Sequence, residues 1–228
     1  MKLLIGNKNY SSWSMRPWVL LTEFEIPFEE VMTRFDSFAP DSTFKQAVLA
    51  LSPAGKVPIL VEDDGFSVWD TLAIAEYLAE RHPGKALWPR DARQRARARS
   101  VCAEMHSGFA ALRNCFGMNI EAALPAVGAR VLAENADARA DLARMNQLWS
   151  DALAQSGGPF LFGAYSIADA YFAPVVMRMR TYALPVPAAV AAYIERATAA
   201  RGTAAWIRAA LAEKEFLAFE ESYRTSRD

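Results

Sequence analysis

Up to residue 81 the chain alternates short apolar runs with helical spacing, and beyond it helical spacing alone remains. Lys2-Leu3-Leu4-Ile5-Gly6 predicts a first strand. Asn7 to Ser14 is polar and turn-rich, and Met15 to about Glu25 predicts a helix. Pro17 suits the first turn of that helix, where a missing N–H costs nothing. Ile26-Pro27 ends it, and the β-branched and aromatic residues of Phe28 to Phe35 predict a second strand. Asp36 to Ser42 reads as a loop and Thr43 to Leu51 as a short helix.

The densest signal lies between Leu51 and Leu78. Ser52-Pro53-Ala54-Gly55 is turn composition, and Val57-Pro58-Ile59-Leu60-Val61 is an apolar run closed by Glu62-Asp63-Asp64-Gly65. Phe66-Ser67-Val68 resumes as a strand, which makes a β-hairpin. Trp69-Asp70-Thr71 then opens a helix with Leu72, Ile74, Ala75 and Leu78 on one apolar face. Proline cannot donate to a ladder, so Pro58 belongs at an edge or in an unusual turn. The resulting order is βαβ followed by αββα.

His82-Pro83-Gly84-Lys85-Ala86-Leu87-Trp88-Pro89 breaks the pattern, and the helical spacing of 91–116, 136–155, 170–179, 185–198 and 202–212 follows. Ser166 with Asp169 three residues on is a capping-box-like start to the apolar helix Ala170–Met179, so both are read as folding residues. The expectation is an α/β N-terminal domain at 1–82, a linker at 83–89 and an all-α domain at 90–228.

Composition narrows the function classes. The 228 residues are 53% apolar and 22% charged, an ordinary globular balance with ample core. The formal net charge of −1 gives no case for nucleic acid or an anionic membrane surface. Arg90, Arg93, Arg95, Arg97 and Arg99 therefore read as a solvated helix face. The apolar run at Met1–Gly6 is too short for a secretory leader, and no run approaches a membrane span. Cys102 and Cys115 lack metal-ligand spacing around His82 or His106, so buried thiols in a reducing cytoplasm are expected, with no metal site.

The turn, Lys56-Val57-Pro58, the hairpin and the Asp70-Thr71 helix start together resemble the glutathione-binding half of cytosolic glutathione transferases. That resemblance implies a thioredoxin-like N-terminal domain, a cis proline at 58, and a Val57 backbone that meets a peptide as a strand edge would. Taken singly, Asp70 or Thr71 reads first as a helix cap and Pro58 as a turn former. For glutathione, the Asp70 carboxylate suits the γ-glutamyl amine, and the Thr71 hydroxyl and N–H groups at the helix start suit its carboxylate. Lys56, Val57, Pro58, Asp70 and Thr71 are thus the candidate glutathione-binding residues.

In this family the loop after the first strand supplies a Tyr, Ser or Cys to the thiol. Ser-type members place that residue five before an Arg, here Ser11 before Arg16, so Ser11 is the candidate catalytic residue. Tyr10 and Ser12 stay open as alternatives, Ser14 is expected to be a helix cap, and Arg16 a structural ion-pair partner. Ser11-Ser12-Trp13-Ser14-Met15-Arg16 is also similar to the SSxSxR run of the zeta class, with Trp13 where zeta proteins usually carry Cys. For the second substrate the resemblance points to Trp13, Met105 and Phe109, with Phe116 as a further apolar wall. It implies a bacterial, Ser-type glutathione transferase with glutathione as co-substrate, cytoplasmic and homodimeric, without metal, nucleic acid or membrane. A glutathione-dependent isomerase of the maleylacetoacetate type and a non-catalytic transferase-like binding protein are the alternatives.

Overall fold

A computed structural model describes residues 1–227; Asp228, the end of the expected helical domain, lies outside the described residues. The chain forms a small mixed sheet with three helices, then a helical domain.

Strand β1 (Lys2–Ile5) leads through α1 (Ser12–Glu23) to β2 (Glu29–Met32), which pairs parallel to β1 with Lys2 opposite Glu29. Helix α2 (Thr43–Leu49) precedes β3 (Ile59–Val61) and β4 (Ser67–Trp69), an antiparallel hairpin whose β3 lies against β1 with Leu4 opposite Ile59. The sheet order is β2-β1-β3-β4, followed by α3 (Thr71–Arg81). Leu3, Leu4 and Ile5 are all buried because helices cover both faces. Leu4 and Ile59 pack with Phe35, Phe44 and Val48 of the α2 side, while Leu3, Ile5 and Leu60 join the main core.

A 3-10 turn at Pro83–Lys85 leads into α4 (Ala92–Ser107), α5 (Ala110–Cys115), α6 (Pro125–Glu134), α7 (Ala136–Ser156), α8 (Ile167–Thr181), α9 (Ala188–Ala199) and α10 (Arg201–Glu213). The helix expected over 91–116 is two helices. Gly108 has extended φ/ψ and Phe109 sits at φ 55°, which turns the chain between α4 and α5. Helix α6 was not expected, and α1 begins at Ser12 rather than Met15. Cys102 is buried, but Cys115 is only half-buried.

Helix α8 is the axle of the molecule. Ser166 Oγ accepts from the Ala168 N–H at its start, and the Asp169 carboxylate accepts from the Ser166 and Leu161 N–H groups. Those three N–H groups would otherwise be buried without partners. Burial pushes the Asp169 carboxyl up to about 6, against the pull of these same hydrogen bonds. Helix α1 packs on α8 and α10. A Cβ on Gly202 would stand 2.3 Å from the Val19 carbonyl oxygen, so glycine there lets α10 approach α1. The loop before α1 is thereby held between the two domains.

Candidate active site

The turn before β3, the β4–α3 junction, the start of α1 and the region from the end of α4 into α5 surround a cleft of about 390 Å³. Lys56, Val57 and Pro58 line one side, with the Val57–Pro58 peptide cis. Asp70 and Thr71 line the end, and His106 and Arg113 of the helical domain close the other side with Trp13 from the start of α1. A second cavity of about 390 Å³ adjoins it, bordered by Ser11, Ser12, Phe35, Phe38, Lys45 and Glu220. Trp13, Lys56 and Val57 border both, so the two form one trough past the Val57–Pro58 turn.

Asp70 sits at φ 72°, ψ 134°, a conformation that costs a non-glycine residue of order 1–3 kcal/mol. Its Oδ1 caps α3 by accepting from the Leu72 N–H at 2.8 Å. Its Oδ2 lies 3.4 Å from His106 Nε2. The Thr71 hydroxyl does not face the cleft as expected. It is turned inward, 3.0 Å from the Tyr171 hydroxyl, and accepts from Arg16 Nη1 at 3.5 Å. What Thr71 offers the cleft is its backbone at the start of α3, where N–H groups lack helical partners.

Arg16 is not an ion-pair partner. Among the described residues no carboxylate contacts it. Its guanidinium lies 4.1 Å from the Trp13 ring centroid and 4.0 Å from that of Tyr171, a planar cation between two π faces. Burial pushes its pKa down to about 10, so it remains a cation at neutral pH. It therefore places positive charge directly behind Trp13.

Ser11 occupies the N-cap position of α1, makes no side-chain cap, and donates its hydroxyl to Ser14 Oγ at 2.7 Å. Ser14 is inside the helix, buried, and accepts from the Gly6 N–H at 3.1 Å; it is not the cap. Ser12 borders the same cavity as Ser11. Tyr10 borders it too, but its hydroxyl donates to Glu221 Oε1 at 2.7 Å. Burial and then that carboxylate push the Tyr10 phenol up to about 12, which removes it as a source of phenolate. The end of α10 and the segment after it hold this loop, and Asn119 ties that segment to the helical domain. Glu213 accepts from the Lys8 N–H at 2.9 Å, Glu215 accepts from Asn7, and Asn119 donates to Glu221 at 2.9 Å.

Met105 and Phe109 do not line either cavity. Both belong to the main core, with Met105 1% exposed, and Phe116 is buried with them. One residue further along α4, a rotation of about 100°, brings His106 to the cleft, and Arg113 on α5 stands beside it. The sequence marks His106 only as one of two histidines, and nothing local distinguishes Arg113 from the other arginines. Tyr171 and the glutamates after α10 carried no sequence signal for this site. Among the described residues, no group of three or more His, Cys, Asp or Glu side chains could hold a metal ion, and no helix is long and apolar enough to cross a membrane.

Comparison with known proteins gives concordant matches. The family model described as glutathione S-transferase, N-terminal domain, matches residues 10–81, and that of the C-terminal domain matches 90–209. A maleylacetoacetate isomerase of Pseudomonas aeruginosa is 42% identical over 74 residues, covering 32% of this chain and 35% of the relative. A glutathione S-transferase of Pseudomonas putida is 36% identical over 107 residues, 44% of this chain and 45% of the relative. The matched stretch thus spans less than half the length of these curated relatives. Among solved structures, a glutathione transferase homologue from Burkholderia with bound glutathione is 25% identical with a TM-score of 0.69, covering 92% of this chain and 98% of its own. A zeta-class maleyl pyruvate isomerase, 23% identical with a TM-score of 0.67 over 92% and 98%, has the same fold.

Proposed function

Because the chain belongs to the glutathione S-transferase family, we propose that it binds glutathione in the trough and transfers it, as thiolate, to small electrophiles. The observation that carries the reading is the sharing of Trp13, Lys56 and Val57 by both cavities, which makes one path from Asp70 and Thr71 to Ser11. The γ-glutamyl amine meets the Asp70 carboxylate, and its carboxylate meets the N–H groups at the start of α3. The cysteinyl unit passes the Val57 backbone as an added strand would. Lys45 and Lys56 offer cations to the glycine carboxylate at the far end.

The chemistry required is ionisation of the thiol. A free thiol with a pKa of about 8.5 is a few per cent thiolate at neutral pH. A hydroxyl donated by Ser11 contributes about 1.5–3 kcal/mol to a charged acceptor, and the N-terminus of α1 adds about 0.3–1 kcal/mol. At about 1.36 kcal/mol per unit, the pKa falls by one to two units or more. To donate, Ser11 turns its proton from Ser14 to the sulfur. The thiolate then attacks an electrophilic carbon, the C–S bond forming as the leaving group departs with its electron pair. Trp13 supplies the apolar wall beside the sulfur.

The reading extends to a glutathione-binding unit at 1–82 joined by 83–89 to the helical unit, and to a cytoplasmic, homodimeric detoxification enzyme. Family membership supports these features, and light scattering at micromolar concentration checks the dimer. A second reading, isomerisation of the maleylacetoacetate type, is favoured by the Ser-Ser run and by Arg113 at the cleft, a cation suited to a carboxylate-bearing electrophile. The test is retention on immobilised glutathione followed by assays with a chloronitrobenzene, a hydroperoxide and maleylacetone. Turnover of maleylacetone alone selects the isomerase. Retention without turnover of any selects a binding protein, and failure to be retained removes the glutathione reading.

A further inference from the structure

The side chains behind Asp70 and Thr71 form a continuous chain of polar contacts from Arg16 to Asp70. Arg16 Nη1 only donates, and it reaches Thr71 Oγ1. The Thr71 hydroxyl lies 3.0 Å from the Tyr171 hydroxyl, and Tyr171 lies 2.7 Å from His106 Nδ1. His106 Nε2 then faces Asp70 Oδ2 at 3.4 Å, where a carboxylate only accepts. With the imidazole neutral and its proton on Nε2, the nitrogen 3.4 Å from Asp70 Oδ2, Nδ1 accepts from Tyr171 and Tyr171 accepts from Thr71. This tautomer is assigned from the Asp70 carboxylate beside Nε2. Tyr171 is buried and its phenol is pushed up to about 12, so it keeps the proton this arrangement needs. The His106 ring is further fixed by the Trp13 ring, edge to face at 5.4 Å.

Resting on the glutathione reading above, we infer that His106 is a positioning residue of the glutathione site: with Tyr171 it ties the Asp70 carboxylate to the helical domain. Asp70 needs such a tie. Its backbone is in a sparsely populated conformation and its side chain is 44% exposed. The Leu72 cap holds only Oδ1, and His106 fixes the rotation that aims Oδ2 into the cleft. The second domain thereby sets the geometry of a ligand-binding carboxylate in the first.

The test is calorimetric glutathione binding, with KM and kcat for glutathione, in Asp70→Ala, His106→Ala, His106→Gln and His106→Asn. His106→Ala is expected to weaken binding and raise KM about tenfold, with kcat at saturating glutathione changed less than about threefold. A glutamine amide nitrogen stands where Nε2 does, so His106→Gln restores affinity. Asparagine reaches only the Nδ1 position, so His106→Asn does not. Melting temperatures of the three His106 variants separate this pattern from loss of fold. Wild-type affinity in His106→Ala beside a weakened Asp70→Ala overturns the inference alone, as does rescue by asparagine rather than glutamine. Unchanged affinity in Asp70→Ala overturns the glutathione reading and this inference together.

Discussion

Tyr10 donates its phenol to Glu221, 211 residues further along the chain, at 2.7 Å. A side chain from the loop that carries Ser11 is thereby spent on the segment after α10, and that segment becomes part of the site's frame. Burial pushes the Glu221 carboxyl up, but hydrogen bonds from Arg224, Tyr10 and Asn119 and the Arg224 charge outweigh it and hold the carboxyl below its ordinary value of 4.5. A depressed carboxyl adds stability that is present above the unfolded-state value and is lost as pH falls through the folded one. Glu221→Gln is therefore expected to melt below wild type at pH 7, with the gap narrowing below about pH 4.5. A gap that widened in acid would reverse the assignment.

Tyr10→Phe follows from the same contact. It is expected to lower stability by about 1.5–3 kcal/mol, the range for a hydrogen bond to a charged group, while the ultraviolet titration of bound glutathione thiolate stays at the wild-type midpoint. A raised midpoint would return Tyr10 to the sulfur.

Ser11→Ala is expected to raise the pKa of bound thiol by about one to two units. Glutathione affinity at low pH, where the sulfur is protonated, changes little. Ser12→Ala keeps the titration of wild type. Should Ser12→Ala show the shift instead, the donor is Ser12.

Ser14→Ala is a stability variant. It strips the buried Gly6 N–H of its acceptor and Ser11 of its resting partner. The expected loss is about 1–3 kcal/mol by denaturant unfolding. A variant as stable as wild type would show that water or a moved backbone satisfies Gly6.

Arg16 distinguishes charge from packing. Its cation is fully desolvated without a carboxylate, so Arg16→Met, which fills the gap between Trp13 and Tyr171, should stay within about 1–2 kcal/mol of wild type, since the relief of desolvation offsets the lost cation–π contacts. Arg16→Ala leaves a cavity and should cost about 2–5 kcal/mol. Equal losses in unfolding measurements would mean that the charge itself holds the two rings.

The sequence by itself determined what rests on local rules. Gly65 and the apolar runs beside it set the hairpin, Ser166 and Asp169 set the start of α8, and the spacing of Leu72, Ile74, Ala75 and Leu78 set α3. Lys56-Val57-Pro58 and Asp70-Thr71 were legible as a turn and a helix start because each is built from neighbouring residues. Side-chain direction was not legible. The Thr71 hydroxyl faces Tyr171 because α8 presents a buried phenol there, and Arg16 is sandwiched because α1 lies on α8. Met105 turns into the core while His106 reaches Asp70, a choice made by how α4 rotates against its neighbours. Backbone hydrogen bonds within an element are fixed by its own residues, but a buried polar side chain must find its partner wherever packing brings one within about 3 Å. For Thr71, His106 and Tyr10 that partner comes from another element, which only the tertiary structure supplies.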